Sequence, residues 1–189
     1  MNLGQKIGIA LAIAIVGISA CKKEKDDPVV PNEEELITTV IYTLIDTVSN
    51  DTVELSIQDI DGNGGNPPII ITEDLSPNAV YWGYITLLNE SVDPVVDISE
   101  EVFEEGEEHQ FFFLSETSLN TVITYDDEDV NGNPIGLRTV LQTGNSSTGE
   151  LIIILRHNPD KYASGVAEGD IANAGGETDV EVNFDVVVQ

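Results

Sequence analysis

The stretch Val180–Val188 alternates strictly. Val180, Val182, Phe184, Val186 and Val188 fall on one side, and Glu181, Asn183, Asp185 and Val187 on the other. Only an extended chain sends successive side chains to opposite faces, so this period of two dictates a strand with one apolar face. Thr52–Ile57 repeats the pattern, with Val53, Leu55 and Ile57 set against Thr52, Glu54 and Ser56. Leu36–Ile45, Pro68–Thr72, Ala79–Leu88, Phe111–Leu114, Thr121–Tyr125, Leu137–Gln142 and Leu151–Arg156 are further short apolar or β-branched runs. Gly, Asn, Asp and Pro clusters separate them, the residues that tight turns require. About nine strands of this kind predict a mainly β chain folded as a single antiparallel sandwich over residues 35–189. Regular alternation of strand and helix is missing, which argues against a Rossmann or two-lobed periplasmic-binding architecture.

One short acidic helix is predicted. Asp97 and Glu100 have the spacing of an N-terminal capping box, with Ile98, Val102 and Phe103 as the apolar face. Glu100, Glu101, Glu104, Glu105, Glu107 and Glu108 crowd the remainder, and Gly106 favours an early end. Upstream, Leu75-Ser-Pro77-Asn-Ala-Val-Tyr81 resembles the tyrosine corner of fibronectin type III domains. That resemblance implies an Ig/FnIII-like sandwich, with the Tyr81 hydroxyl bonded to upstream backbone where the chain crosses between sheets. It does not extend to an early-strand Trp, because Trp82 is the only one in the sequence.

Charge separates the two ends of the chain. The sequence holds 35 acids, 7 Lys or Arg, and a net charge of −28. Lys6, Lys22, Lys23 and Lys25 precede residue 28 with only Glu24, Asp26 and Asp27, leaving 32 acids against Arg138, Arg156 and Lys161. Such a surface repels phosphate, which excludes nucleic acid as a partner. The single Cys, Cys21, rules out an internal disulfide or a cysteine-rich zinc site. Residues 1–20 read as a secretory signal, with Lys6 ahead of the apolar run Ile7–Ile18. Ile18-Ser-Ala-Cys21 resembles the bacterial lipobox, which implies cleavage before Cys21 and acylation of its sulfur. Residues 21–34 then form a polar tether punctuated by Pro28 and Pro31. Its Lys/acid cluster resembles the export signal of Bacteroidota lipoproteins, implying the outer face of the outer membrane; a spacer facing the periplasm is the alternative. With the lipobox, Glu33–Val40, Glu107–Phe113 and Gly175–Val182 resemble small Bacteroidota lipoproteins of uncharacterised function. Some of these are grouped under the type 1 periplasmic binding fold superfamily.

Three segments are candidate cation ligands. Glu104, Glu108 and His109 end the acidic segment, and His157 follows the apolar run Leu151–Arg156. If those strands are neighbours, two imidazoles and carboxylates supply a nitrogen and oxygen set for zinc or copper. The alternative is a solvated acidic helix with two ordinary histidines. Asp59, Asp61 and Asn63 form one calcium-like loop, and Asp127, Asp129 and Asn131 a second. The second matches the first half of an EF-hand loop, but Arg138 stands where the bidentate Glu belongs, so an EF-hand is excluded. Tight turns built from Asp, Asn and Gly are the alternative for both.

No nucleophile elbow, P-loop or dinucleotide fingerprint is present, and no catalytic residue is assigned. The sequence therefore predicts a surface-anchored acidic lipoprotein that is a binding module and not an enzyme. Ca²⁺ or Zn²⁺ is the expected ion, the membrane is met through lipidated Cys21, and a TonB-dependent outer-membrane receptor is the expected partner in nutrient uptake. Two other readings stay open: a structural or adhesive Ig-like module without metal, and a hydrolase.

Overall fold

Alternating runs become strands and the clusters between them become turns. The computed structural model describes residues 36–62 and 64–189, so the expected signal segment 1–20, Cys21, the expected tether 21–34 and Asn63 lie outside the described residues. The strands are β1 (Thr39–Asp46), β2 (Thr52–Gln58), β3 (Ile69–Thr72), β4 (Val80–Asn89), β5 (Val96–Asp97), β6 (His109–Ser115), β7 (Thr121–Tyr125), β8 (Arg138–Thr143), β9 (Ser147–His157) and β10 (Glu177–Val188). Among the described residues one α-helix, α1 (Ile98–Glu104), lies between β5 and β6, and a short 3₁₀ turn, Ile171–Asn173, between β9 and β10.

Two antiparallel sheets make the expected sandwich. The larger is seven-stranded, in the order β3-β2-β1-β4-β8-β7 with β5 paired to β4; the smaller has the order β10-β9-β6. Their inner faces enclose one core. Val40, Tyr42, Leu44, Leu55, Ile85, Leu87 and Leu141 from the larger sheet meet Phe111, Leu151, Ile153, Leu155, Val182, Phe184, Val186 and Val188 from the smaller. Gly83 makes room for this packing. A Cβ there would approach Thr139 Oγ1 to 2.3 Å and Tyr42 Cε2 to 2.7 Å, in a region where the Tyr42 hydroxyl and Thr139 Oγ1 are hydrogen-bonded at 2.8 Å. Burial raises the Tyr42 phenol well above its usual range.

The corner at Tyr81 has the geometry its residues imply. Leu75 forms a parallel bridge to Val188 of the smaller sheet, and the chain then enters β4 of the larger one. The Ser76 N–H donates to the Tyr81 hydroxyl at 2.8 Å, and Tyr81 is buried. Trp82, its neighbour, points the other way and is 46 % exposed.

Two details depart from the expected pattern. Val96–Asp97 pairs with the end of β4, a strand too short for periodicity to reveal. In α1, Ile98 and Val102 are buried but Phe103 is 60 % exposed. A seven-residue helix anchored by one i, i+4 pair buries only a narrow stripe, and Phe103 lies about 100° round from Val102. Asp97 caps the helix as expected, accepting from Ser99 N at 2.9 Å.

The smaller sheet is covered on both faces. Phe112 and Ile154 point away from the main core and pack with Val166 and Ala174 of the excursion between β9 and β10. This explains why Phe111–Leu114 and Leu151–Leu155 read as unbroken apolar runs, since a strand buried on both sides has no polar face to show.

Candidate functional site

At one end of the smaller sheet the apolar core gives way to ionisable groups. β6 opens on His109 and β9 closes on His157, directly opposite each other in the antiparallel register. Both continue the inward series of their strands, Phe111 after His109 and Leu155 before His157, so both rings point into the sandwich. The rings stack at 4.8 Å between centroids, tilted by 10°. The third member comes from β10. Its register against β9 slips between Thr178, opposite Arg156, and Val180, opposite Leu155. Asp179 is the extra residue of this bulge. Bulges re-aim side chains, and this one turns a carboxylate inward beside two histidines.

His109, His157 and Asp179 each offer one ligand atom, and these atoms lie within 4.8 Å of one another. His109 Nε2 is 3.7 Å from Asp179 Oδ2, with both side chains closed to solvent. His157 Nδ1 is 3.8 Å from Asp179 Oδ1. On its other edge, His157 Nε2 is 3.7 Å from Glu108 Oε2, whose side chain is 52 % exposed. His109 Nδ1 lies 3.2 Å from the Glu105 carbonyl oxygen. A carbonyl only accepts, so in the neutral ring the proton is assigned to Nδ1 and the lone pair to Nε2. Burial pushes the His109 pKa below its usual value, which favours that neutral ring. A lone pair on His109 Nε2, itself without a hydrogen bond, thus faces a buried carboxylate. Away from water such a pair is favourable only when a proton or a metal cation lies between the two groups.

A tetrahedral metal with bonds of about 2.0–2.1 Å holds its ligands about 3.3–3.4 Å apart. The 3.7 and 3.8 Å separations, to the two different oxygens of Asp179, exceed that by a few tenths of an ångström, and the three ligand atoms together spread to 4.8 Å, so the side chains must draw closer to hold an ion. Two imidazoles and a carboxylate suit zinc, copper, iron or nickel, whereas calcium takes about 6–8 oxygens. Glu108 on the far nitrogen of His157 and the Glu105 carbonyl on that of His109 are the supports that orient metal-bound imidazoles. Beside the cluster lies a cavity of about 510 Å³ lined by Ile37, Val40, Ile57, Val180, Val182, Asp59, Asp61 and Asp179. The Asp179 side chain is nevertheless closed to solvent, and Glu108 is the exposed group beside the histidines.

Of the ligands expected from sequence, His109, His157 and Glu108 come together. Glu104 does not join them. It ends α1 and lines a separate cavity of about 200 Å³ with Phe103, Glu107 and Val130. Asp179 is the ligand that strand reading misses, because the alternating run begins one residue later and nothing in the residue letters marks the bulge.

The two Asp loops use their carboxylates internally. Asp59 Oδ1 accepts from Gly62 N at 2.9 Å. Asp61 Oδ2 accepts from Asn66 N at 3.0 Å and Nδ2 at 2.8 Å, which hold its carboxyl below the usual range. In the second loop Asp127 accepts from Gly136 N at 2.7 Å and Arg138 N at 2.8 Å. Asn131 Nδ2 donates to Glu107 Oε1 at 2.5 Å. Asp129 Oδ1 accepts from Asn131 N at 2.8 Å and Asn133 N at 3.0 Å, while Oδ2 accepts from Lys161 Nζ at 3.1 Å. Lys161 is 4 % exposed, and its ammonium also donates to the carbonyls of Gly106 and Pro134. Three acceptors satisfy its three N–H groups. Burial alone would raise the Asp129 carboxyl, but the Asn133 and Asn131 N–H groups and the Lys161 ammonium outweigh it and hold the pKa below 3.8.

No protein-family description, curated protein or solved structure matches the chain.

Proposed function

We propose that the chain is a lipid-anchored, acidic β-sandwich that captures a divalent transition-metal cation, zinc first among them. His109 Nε2, His157 Nδ1 and the Asp179 carboxylate are its ligands. The observation that carries this reading is the convergence of His109, His157 and Asp179, one ligand atom from each, within 4.8 Å. Glu108, half exposed beside His157, is the outermost carboxylate of the centre and draws the cation inward. In this reading Cys21 carries the lipid and the tether holds the domain at the outer-membrane surface. The protein performs no covalent chemistry and serves as an accessory to a TonB-dependent uptake receptor. The acids around the domain attract cations and raise their local concentration.

Isothermal titration of the full chain in detergent with Zn²⁺ tests the metal reading. One ion per chain and a raised melting temperature are expected, and Asp179→Asn and His157→Ala should each abolish both effects. Absence of heat and of any melting shift at millimolar zinc would refute it. The anchor is tested separately: Cys21→Ser should move the protein from the membrane fraction to the soluble one.

A further inference from the structure

The two sheets differ in width, and the difference leaves β10 with an open side. Among the described residues β10 pairs with β9 alone, and its other edge is met only at its end, by the bridge from Leu75 to Val188. At that bridge Leu75 N donates to Val187 O, and Gln189 N donates to Leu75 O. Along a strand the N–H and C=O of one residue point to one side and those of the next to the other. Glu181, Asn183 and Asp185 therefore aim their backbone groups at the same side as Val187, with no described strand beside them. Next to this edge lies the cavity of about 510 Å³, with Val180 and Val182 of β10 on one wall and Val40 of β1 and Ile57 of β2 on the other. Ile70 of β3, opposite Ile57 in the register, carries the inner face of the larger sheet further out and is half exposed.

Three features select the occupant. An open row of backbone donors and acceptors is answered by another backbone, which adds as a strand. Every second side chain of that strand enters the cavity, whose walls call for apolar residues. The others lie on the outer face, beside the exposed side chains of Glu181, Asn183 and Asp185. Charge there is one-sided. Glu177, Glu181 and Asp185 of β10 are acids, as are Asp59 and Asp61 lining the cavity, and the lining holds no Lys or Arg. β9 adds Glu150 opposite Asp185 and a single base, Arg156, opposite Thr178. Lys or Arg at the outward positions of the incoming strand matches this balance, since opposite charges on neighbouring strands attract. The chain's own bases beyond residue 28, Arg138, Arg156 and Lys161, lie far apart in sequence, so none of its strands alternates apolar with basic residues. Joining β10 to the same edge of a second copy about Asn183 would set Glu181 against Asp185 twice, and like charges directly opposite are destabilising.

We propose that the open edge of β10 takes up an extended segment of a partner protein, its apolar residues alternating with lysine or arginine, as a fourth strand of the smaller sheet. The probe is a fluorescently labelled peptide of alternating valine and lysine, about seven residues long so that it covers Glu181, Asn183 and Asp185. With the full chain in detergent, its anisotropy should rise, and amide exchange at Glu181, Asn183 and Asp185 should slow, read by NMR. Val182 and Phe184, whose amides face β9, should be unchanged. Two versions N-methylated at valine or at lysine keep the charge, and the one whose methyl groups face β10 should not bind. A peptide of alternating valine and glutamate should not bind either. Glu181→Lys together with Asp185→Lys should weaken the valine–lysine peptide about tenfold without lowering the melting temperature, because both side chains are exposed. Undiminished binding of both methylated versions would overturn the proposal, since charge alone would then account for it. So would an unchanged anisotropy at millimolar protein, or slow exchange at the three amides in the free monomer, which would mean that the chain fills the edge itself. Sedimentation as a dimer that the peptide disperses would assign the edge to a second copy and equally overturn it.

Discussion

Two buried clusters of charge lie close together in the chain, and they differ in where the positive charge comes from. In the first, Asp129 faces the Lys161 ammonium, and two backbone carbonyls complete a cage around that ammonium. In the second, Asp179 faces His109 and His157. One carboxylate is neutralised by a tethered cation that came with the fold. The other is set beside two imidazoles. Calcium-like lettering marks the first cluster, yet its carboxylate already holds a lysine, so cation-site spelling in a sequence does not report whether the chain itself supplies the cation.

The largest expected effect breaks the first cluster. Lys161→Met strands the buried Asp129 carboxylate and should cost about 3–5 kcal/mol in chemical denaturation. Recovery of that loss by calcium would show that the cage accepts a free ion once its resident is gone. The second cluster should respond in the opposite sense. Zinc at about a thousand times its dissociation constant should stabilise the parent by about 4 kcal/mol, with no gain for Asp179→Asn. Glu108→Gln sharpens the difference further. It removes the support on His157 Nε2 and should weaken zinc about 10- to 100-fold in titration calorimetry while leaving one site per chain.

Acid provides a smaller effect on the same axis. The Asp129 carboxyl titrates below 3.8 in the folded protein. Its contribution to stability is therefore complete above that pH and is lost as pH falls through the lower folded value. The stability difference between the parent and Asp129→Asn should close below pH 3.8, read by denaturation at stepped pH. The smallest expected effect is none: calcium alone should leave the parent's melting temperature unmoved, because Asp59, Asp61, Asp127 and Asp129 already accept hydrogen bonds from the chain.

Strand character was legible wherever one face is wet, as in Val180–Val188 and Thr52–Ile57, because alternation is a local property. Tyr81 was legible for a similar reason, since Leu75, Pro77 and Tyr81 lie within one turn. Phe103 was misplaced because helix periodicity gives a face without saying how wide a stripe the neighbours can cover. The second layer of packing on Phe112 and Ile154 depends on Val166 and Ala174, far along the chain. Part of the histidine–carboxylate cluster was legible in His109, Glu108 and His157. Asp179 was not, because a bulge is decided by how two strands register and not by the residue that occupies it. The Lys161 cage was hidden more deeply, as two of its acceptors are backbone carbonyls with no side-chain signature.

The bridge between Leu75 and Val188 also bears on the order in which the sandwich can close. Leu75 N donates to Val187 O at 2.8 Å, and Gln189 N donates to Leu75 O at 2.9 Å. The strand that holds this crossing also pairs with β9 and brings Val182, Phe184, Val186 and Val188 to the core. Without β10 the crossing has no anchor and the smaller sheet lacks the partner of β9. Leu75 and Val188 lie far apart in sequence, so closing the two sheets on each other waits on a long-range contact, the kind whose loop-closure entropy makes β topologies slow to fold.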